Sequence, residues 1–129
     1  MINLTKNDGF FTLMEVITAL AIFSVLVAAA IPGFSMQMEK ARAGEAVQML
    51  EYLYKSQQAY YSEYKAYTNT AANLDINLHL PSYFNAPTFG TTDPIVSIQR
   101  STGAYTLRIT SAGAISCIPS GGTCGSLGY

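Results

Sequence analysis

One carboxylate sits where a carboxylate is expensive. Glu15 is the only charged residue in the run Phe10 to Ile31, FFTLMEVITALAIFSVLVAAAI. A charge at the centre of a bilayer costs about 2.5–3.5 kcal/mol on insertion scales, so a residue of this kind usually has a partner or a task. Glu15 lies about six residues into the run, roughly 9 Å from its end by helical rise. The plainer reading is a glutamate that snorkels to the interface or is protonated in place. Chemistry of other kinds is sparse. Cys117 and Cys124 stand seven apart with no second pair and no nearby histidine, so no four-ligand zinc site can be assembled around them. In an exported domain such a pair reads as one disulfide, and in a reducing compartment as two separate thiols. His79 is the only histidine and has no Cys, Asp or second His at ligand spacing, so it is read as a surface or packing residue. One loop histidine builds no Ser-His-Asp set, and no paired-carboxylate cleft or phosphate-binding glycine loop is present. The residues point away from an enzyme and call for no metal or cofactor.

The elements that would position Glu15 follow from the same run. It holds about 22 residues, and as a helix would be roughly 33 Å long against a hydrocarbon core of about 30 Å. Its apolar residues go all the way round, as in a membrane-spanning helix. A secretory signal would place a shorter apolar region before a small-residue cleavage site. Here a short polar leader, Met1 to Gly9, comes first, and Ala28-Ala29-Ala30 lead into Ile31-Pro32 with no A-x-A closure.

Pro32-Gly33 should interrupt the helix by a kink or local unwinding, because proline removes a donor and clashes with the preceding turn. An amphipathic helix is then expected from about Phe34 to Tyr64. Its apolar face would carry Ala43, Val47, Leu50, Tyr54, Gln57, Tyr61 and Tyr64. Glu39, Lys40, Glu45, Lys55, Glu63 and Lys65 fall mostly elsewhere. The tyrosines Tyr52, Tyr54, Tyr60, Tyr61, Tyr64 and Tyr67 would bridge a core and a wet surface. An aromatic path for electron transfer is the sharper and less favoured reading. Residues 68–94 are irregular, with Pro81, Pro87 and Pro94 and several asparagines. From Ile95 the period changes to two. Strands are expected over Ile95–Arg100, Ala104–Ser111 and Ala114–Ile118, with turns at Ser101-Thr102-Gly103 and Ser111-Ala112-Gly113. Tyr105, Leu107 and Ile109 would face the helix. Pro119 to Gly128 is read as a glycine-rich turn.

The fold class is therefore α+β, a long N-terminal helix packed on a small antiparallel sheet. The layout is a leader at 1–9, an apolar helix at 10–32, its amphipathic half at 33–67, and a loop, sheet and cysteine loop at 68–129. With 7 basic and 8 acidic residues the chain offers no basic footprint for nucleic acid. Charge counts on either side of the run do not orient it in a membrane.

Gly9-Phe10-Phe11-Thr12-Leu13-Met14-Glu15, followed by the apolar run and Ile31-Pro32, resembles the prepilin signature of type IV pilins and type II secretion pseudopilins. The close resemblance covers about the first quarter of the chain. It implies removal of the leader by a prepilin peptidase, methylation of the new amino group, a wait in the inner membrane, and assembly into a helical filament. The implied partners are further copies of the chain, the peptidase, an assembly platform and minor pilins. Gly9 and Phe10 would be the processing residues. Phe11, Thr12, Leu13, Glu15 and Pro32 would serve assembly, with Glu15 pairing with the cationic amine of a neighbouring subunit. The family commonly bridges C-terminal cysteines, which the resemblance extends to Cys117 and Cys124. One departure is that a cut after Gly9 makes Glu15 the sixth mature residue, whereas a cut after Phe10 would restore the family's fifth. We expect the cut after Gly9. Two other functions stay open: a pseudopilin, which the cysteine pair disfavours, and a single-pass anchored binding module that never polymerises.

Overall fold

The computed structural model describes residues 11–119 and 122–129. Gly9 and Phe10, with the leader and its cleavage, lie outside the described residues. Helix α1 spans Leu13–Tyr64, 52 residues. Thr12 caps it: its hydroxyl accepts the Glu15 N–H at 3.2 Å, which satisfies one of the orphan donors of the first turn. Thr12 and Glu15 thus stand at the two ends of a capping-box pattern. The helix runs unbroken through Pro32, so the expected local unwinding at Pro32-Gly33 is not found. Proline removes one ladder donor out of 52 residues of helix, and the well-bonded turns on either side carry the local loss. The Ser35 hydroxyl donates to the Pro32 carbonyl at 3.1 Å, in the turn that follows the ring.

The chain divides into two units, Met1–Gln37 and Met38–Tyr129. In the first, every described residue is exposed: Leu20 is 61% accessible, Phe23 65% and Val25 71%. In the second, α1 buries Ala43, Ala46, Leu50, Leu53 and Gln57. The buried stripe is rotated from the expected one. Ala46 and Leu53 are inside, Val47 and Tyr54 are half-buried, and Tyr61 and Tyr64 are exposed. Small Ala43 and Ala46 allow the sheet close to the helix backbone, while amphipathic tyrosines take the rim.

The sheet is an antiparallel meander in the order β1-β2-β3-β4: Thr88–Phe89, Val96–Gln99, Thr106–Ile109 and Ile115–Ile118. Three strands were expected. The fourth, β1, is a two-residue strand from the irregular segment, paired as Thr88 with Ser97 and Phe89 with Val96. It is too short to show a period. Val96, Ile98, Tyr105, Leu107, Ile109 and Cys117 form the inner face against Leu50 and Leu53. The outer face carries a polar row in register, Thr88, Ser97, Arg108 and Ser116.

Three devices hold helix and sheet in place. Lys65 takes a left-handed conformation, φ 56°, and donates its N–H to the Tyr61 carbonyl at 2.8 Å, which stops α1. Buried Gln57 then bonds the Thr68 backbone twice, Nε2 to the carbonyl at 2.7 Å and the N–H to Oε1 at 3.1 Å. The departing chain is thereby folded back onto the helix. At the β3–β4 turn Gly113 has φ +80° and lies under the Tyr54 ring, whose hydroxyl donates to the Ser111 carbonyl at 3.3 Å. Beyond β4 the expected glycine-rich turn contains a short helix, α2, Thr123–Leu127, ended by left-handed Gly128.

Candidate functional site

The sequence-derived assembly residues fall on the first turns of α1 and at Pro32. Phe11 and Leu13 are 79% and 77% exposed. Within this apolar half the helix satisfies its own hydroxyls. Thr18 donates to the Met14 and Glu15 carbonyls, and Ser24 donates to the Leu20 carbonyl at 2.7 Å. These bonds make hydroxyls tolerable in an apolar medium. Thr12 is engaged as the cap. The Glu15 carboxylate is different: among the described residues it makes no hydrogen bond or ion pair. Its place three residues into the helix also sets it in the favourable field of the helix N-terminus. The Thr-x-x-Glu spacing could have shown this structural role from the sequence, beside the functional one. α1 is the one helix, among the described residues, long and apolar enough to cross a membrane.

A second constellation was missed by the sequence reading. Arg100, 8% exposed, reaches from the end of β2 to Glu39 on α1. Its Nε donates to Oε1 at 2.7 Å and its Nη2 to Oε2 at 3.3 Å, a two-point grip on the carboxylate. Its Nη1 donates to the Tyr83 carbonyl at 2.6 Å. The Tyr105 hydroxyl donates to Glu39 Oε1 at 2.8 Å, and Arg42 Nη1 to Oε2 at 3.1 Å. Arg42 and Arg100 both lie near the Tyr83 ring, 5.3 and 5.6 Å from its centroid. The Tyr83 hydroxyl is bonded to Glu45.

Electrostatics follow from that packing. The Arg100 guanidinium, helped by Tyr105 and Arg42 against the cost of burial, holds the Glu39 carboxyl at about 2. Burial, then the Glu39 carboxylate, pushes the Tyr105 phenol up. The set is a fixed clasp that no proton transfer near neutral pH would disturb. No signal marked it, because Glu39 and Arg100 are 61 residues apart in the chain.

Cys117 and Cys124 form a disulfide with Cα atoms 5.6 Å apart. Both are buried, so the bridge ties α2 to the last strand inside the core. His79 is exposed. No group of three or more His, Cys, Asp or Glu suited to a metal ion lies together among the described residues. Tyr60 stacks on Tyr64 and Tyr61 on Tyr67, with centroids 4.5 and 4.7 Å apart.

The chain is thus an α+β protein with a long apolar N-terminal helix and a small disulfide-tied antiparallel sheet. No protein-family model, no curated protein and no solved structure matches it.

Proposed function

We propose that the chain is a pilin-type structural subunit that polymerises through the apolar half of α1 once a prepilin peptidase has cut after Gly9. The observation that carries this reading is a fully exposed apolar helical half with one carboxylate, Glu15, unpaired among the described residues. Exposed apolar surface of this extent needs lipid or protein around it. A bilayer alone would serve the aliphatic residues but would leave Glu15 costly. A cationic amine at the start of a neighbouring copy meets both needs, since it neutralises Glu15 while the apolar flanks pack on other helices. Phe11, Thr12, Leu13 and Pro32 then act as the surface around that pair. The membrane holds the subunit before assembly, and the filament carries it outside the cell afterwards.

The test is the N-terminal sequence and intact mass of the native protein, with electron microscopy of surface material from the same cells. A methylated N-terminus at Phe10 together with filaments containing the chain is expected. A start at Phe11 would keep the class and move the cut. An uncut Met1 with no filaments would overturn the reading in favour of a membrane-anchored module.

A further inference from the structure

A cavity of about 280 Å³ lies where the end of α1 meets the segment that follows it, lined by Tyr60, Tyr64, Glu63 and Asp75, with Ser56 and Asn73 at its sides. The stacked Tyr60 and Tyr64 rings give it an aromatic wall. Among the described residues neither Glu63 nor Asp75 makes an ion pair, and neither neighbouring lysine, Lys55 or Lys65, lines the cavity. The Ser56 hydroxyl and the Asn73 amide nitrogen are already spent as donors, on the Tyr52 carbonyl at 3.2 Å and the Thr68 hydroxyl at 3.0 Å. Besides the apolar Ala59 and Leu74, the lining offers an aromatic wall, two carboxylate residues and further oxygen acceptors. That combination suits a planar, donor-rich cation, which stacks on a ring and bonds a carboxylate at two points.

The same unit holds one guanidinium that lacks such a partner. Arg42 and Arg100 are both paired with Glu39. Arg108, on the outer face of β3, is flanked in register by Ser97 and Ser116. Its Nε bonds the Ser116 hydroxyl at 3.0 Å, and its other two nitrogens bond nothing among the described residues. We propose that the Tyr60–Tyr64–Glu63–Asp75 cavity receives the Arg108 guanidinium of a second copy of this chain. The two surfaces are different patches of one subunit, so the contact repeated head to tail propagates along an assembly. It rests on the reading that copies of the chain assemble, and adds to the helical core a contact between the globular parts that fixes their register.

Reciprocal charge exchange tests it. In cells making filaments of the native chain, Asp75→Arg and Arg108→Asp should each lower filament yield by about tenfold or more, as truncating one side of a desolvated interfacial pair does. The double variant should recover to within about threefold of wild type. Each variant is first checked for a wild-type thermal unfolding midpoint, and a variant that unfolds early is replaced by Glu63→Arg or Arg108→Gln. Singles that assemble normally, or a double no better than its singles, would overturn the contact. So would loss in Asp75→Arg with none in Arg108→Asp, which would assign the cavity to another cation. If the native chain forms no filaments, the polymer reading fails separately. The contact is then decided by mixing Asp75→Cys and Arg108→Cys full chains in non-ionic detergent, where only a direct contact gives a cross-linked heterodimer.

Discussion

The two halves of α1 are built from one continuous helix and face opposite problems. From Met38 onward the helix finds its partners within the chain: Leu50 and Leu53 are wholly buried under the sheet, and Glu39 is gripped by Arg100 and Tyr105. In the first unit Leu20, Phe23 and Val25 are open, and Glu15 has no side-chain partner among the described residues. Small hydroxyls bond their own helix in both halves, Thr18 and Ser24 in the first and Ser56 in the second. Only in the second does a helix hydroxyl, Tyr54, reach across to another element. A helical segment whose apolar surface is unsatisfied by its own chain has its environment supplied from outside. The half from Met38 onward is stabilised by folding, and the first half by whatever surrounds it.

Four measurements would break or sharpen that contrast. The largest effect is expected at Glu15. Glu15→Gln should reduce assembled material by about 100-fold or more, the scale of removing one partner of a buried pair. The unfolding midpoint of the globular part in detergent should not move. Filaments at wild-type yield would remove the role assigned to this carboxylate.

Next comes Arg100→Ala, which leaves the half-buried Glu39 carboxylate without its main partner. Denaturant unfolding of the full chain in detergent should show a loss of about 3 kcal/mol, and pairing it with Glu39→Gln should recover part of that. A loss below about 0.5 kcal/mol would mean the clasp is a surface ion pair in effect.

The same truncation in both halves tests the contrast directly. Leu53→Ala should cost about 2–4 kcal/mol through lost transfer energy and a cavity. Leu20→Ala should change unfolding of the globular part by less than about 0.5 kcal/mol. Equal costs would show that the apolar half is packed by its own chain.

The smallest effect is the acid dependence. Glu39 titrates at about 2 folded, against an ordinary value of 4.5. The unfolded chain therefore takes up the proton first as pH falls. Its stabilisation is present in full above about pH 4.5 and is lost as pH drops towards 2, by about 1–3 kcal/mol. Glu39→Gln should flatten the stability profile across that window.

Local pattern made much of this legible in advance. The apolar run specified a long helix because every turn of it is apolar. The alternation Tyr105, Leu107, Ile109 specified a strand with its inner face, and Cys117 with Cys124 had a bridge within reach. Three features were not legible for physical reasons. Pro32 was read as a site of kinking or local unwinding because local sterics were weighed alone, yet one missing donor does not unwind a helix continuous on both sides. β1 is two residues long and exists through pairing with β2, so no period announces it. The buried stripe of α1 shifted to Ala46 and Leu53 because tyrosines are apolar by composition but stay at a wet rim.

What the sequence by itself determined is therefore the α+β class, the apolar half with Glu15 inside it, and the order of the sheet's last three strands. These rest on contacts between near neighbours, where spacing is geometry. Tertiary structure alone decided the Glu39–Arg100–Tyr105 clasp, the Gln57–Thr68 fold-back, the first strand, and the cavity beside Tyr60. Each joins residues that chain spacing leaves unrelated, and only the packed core brings them within bonding distance.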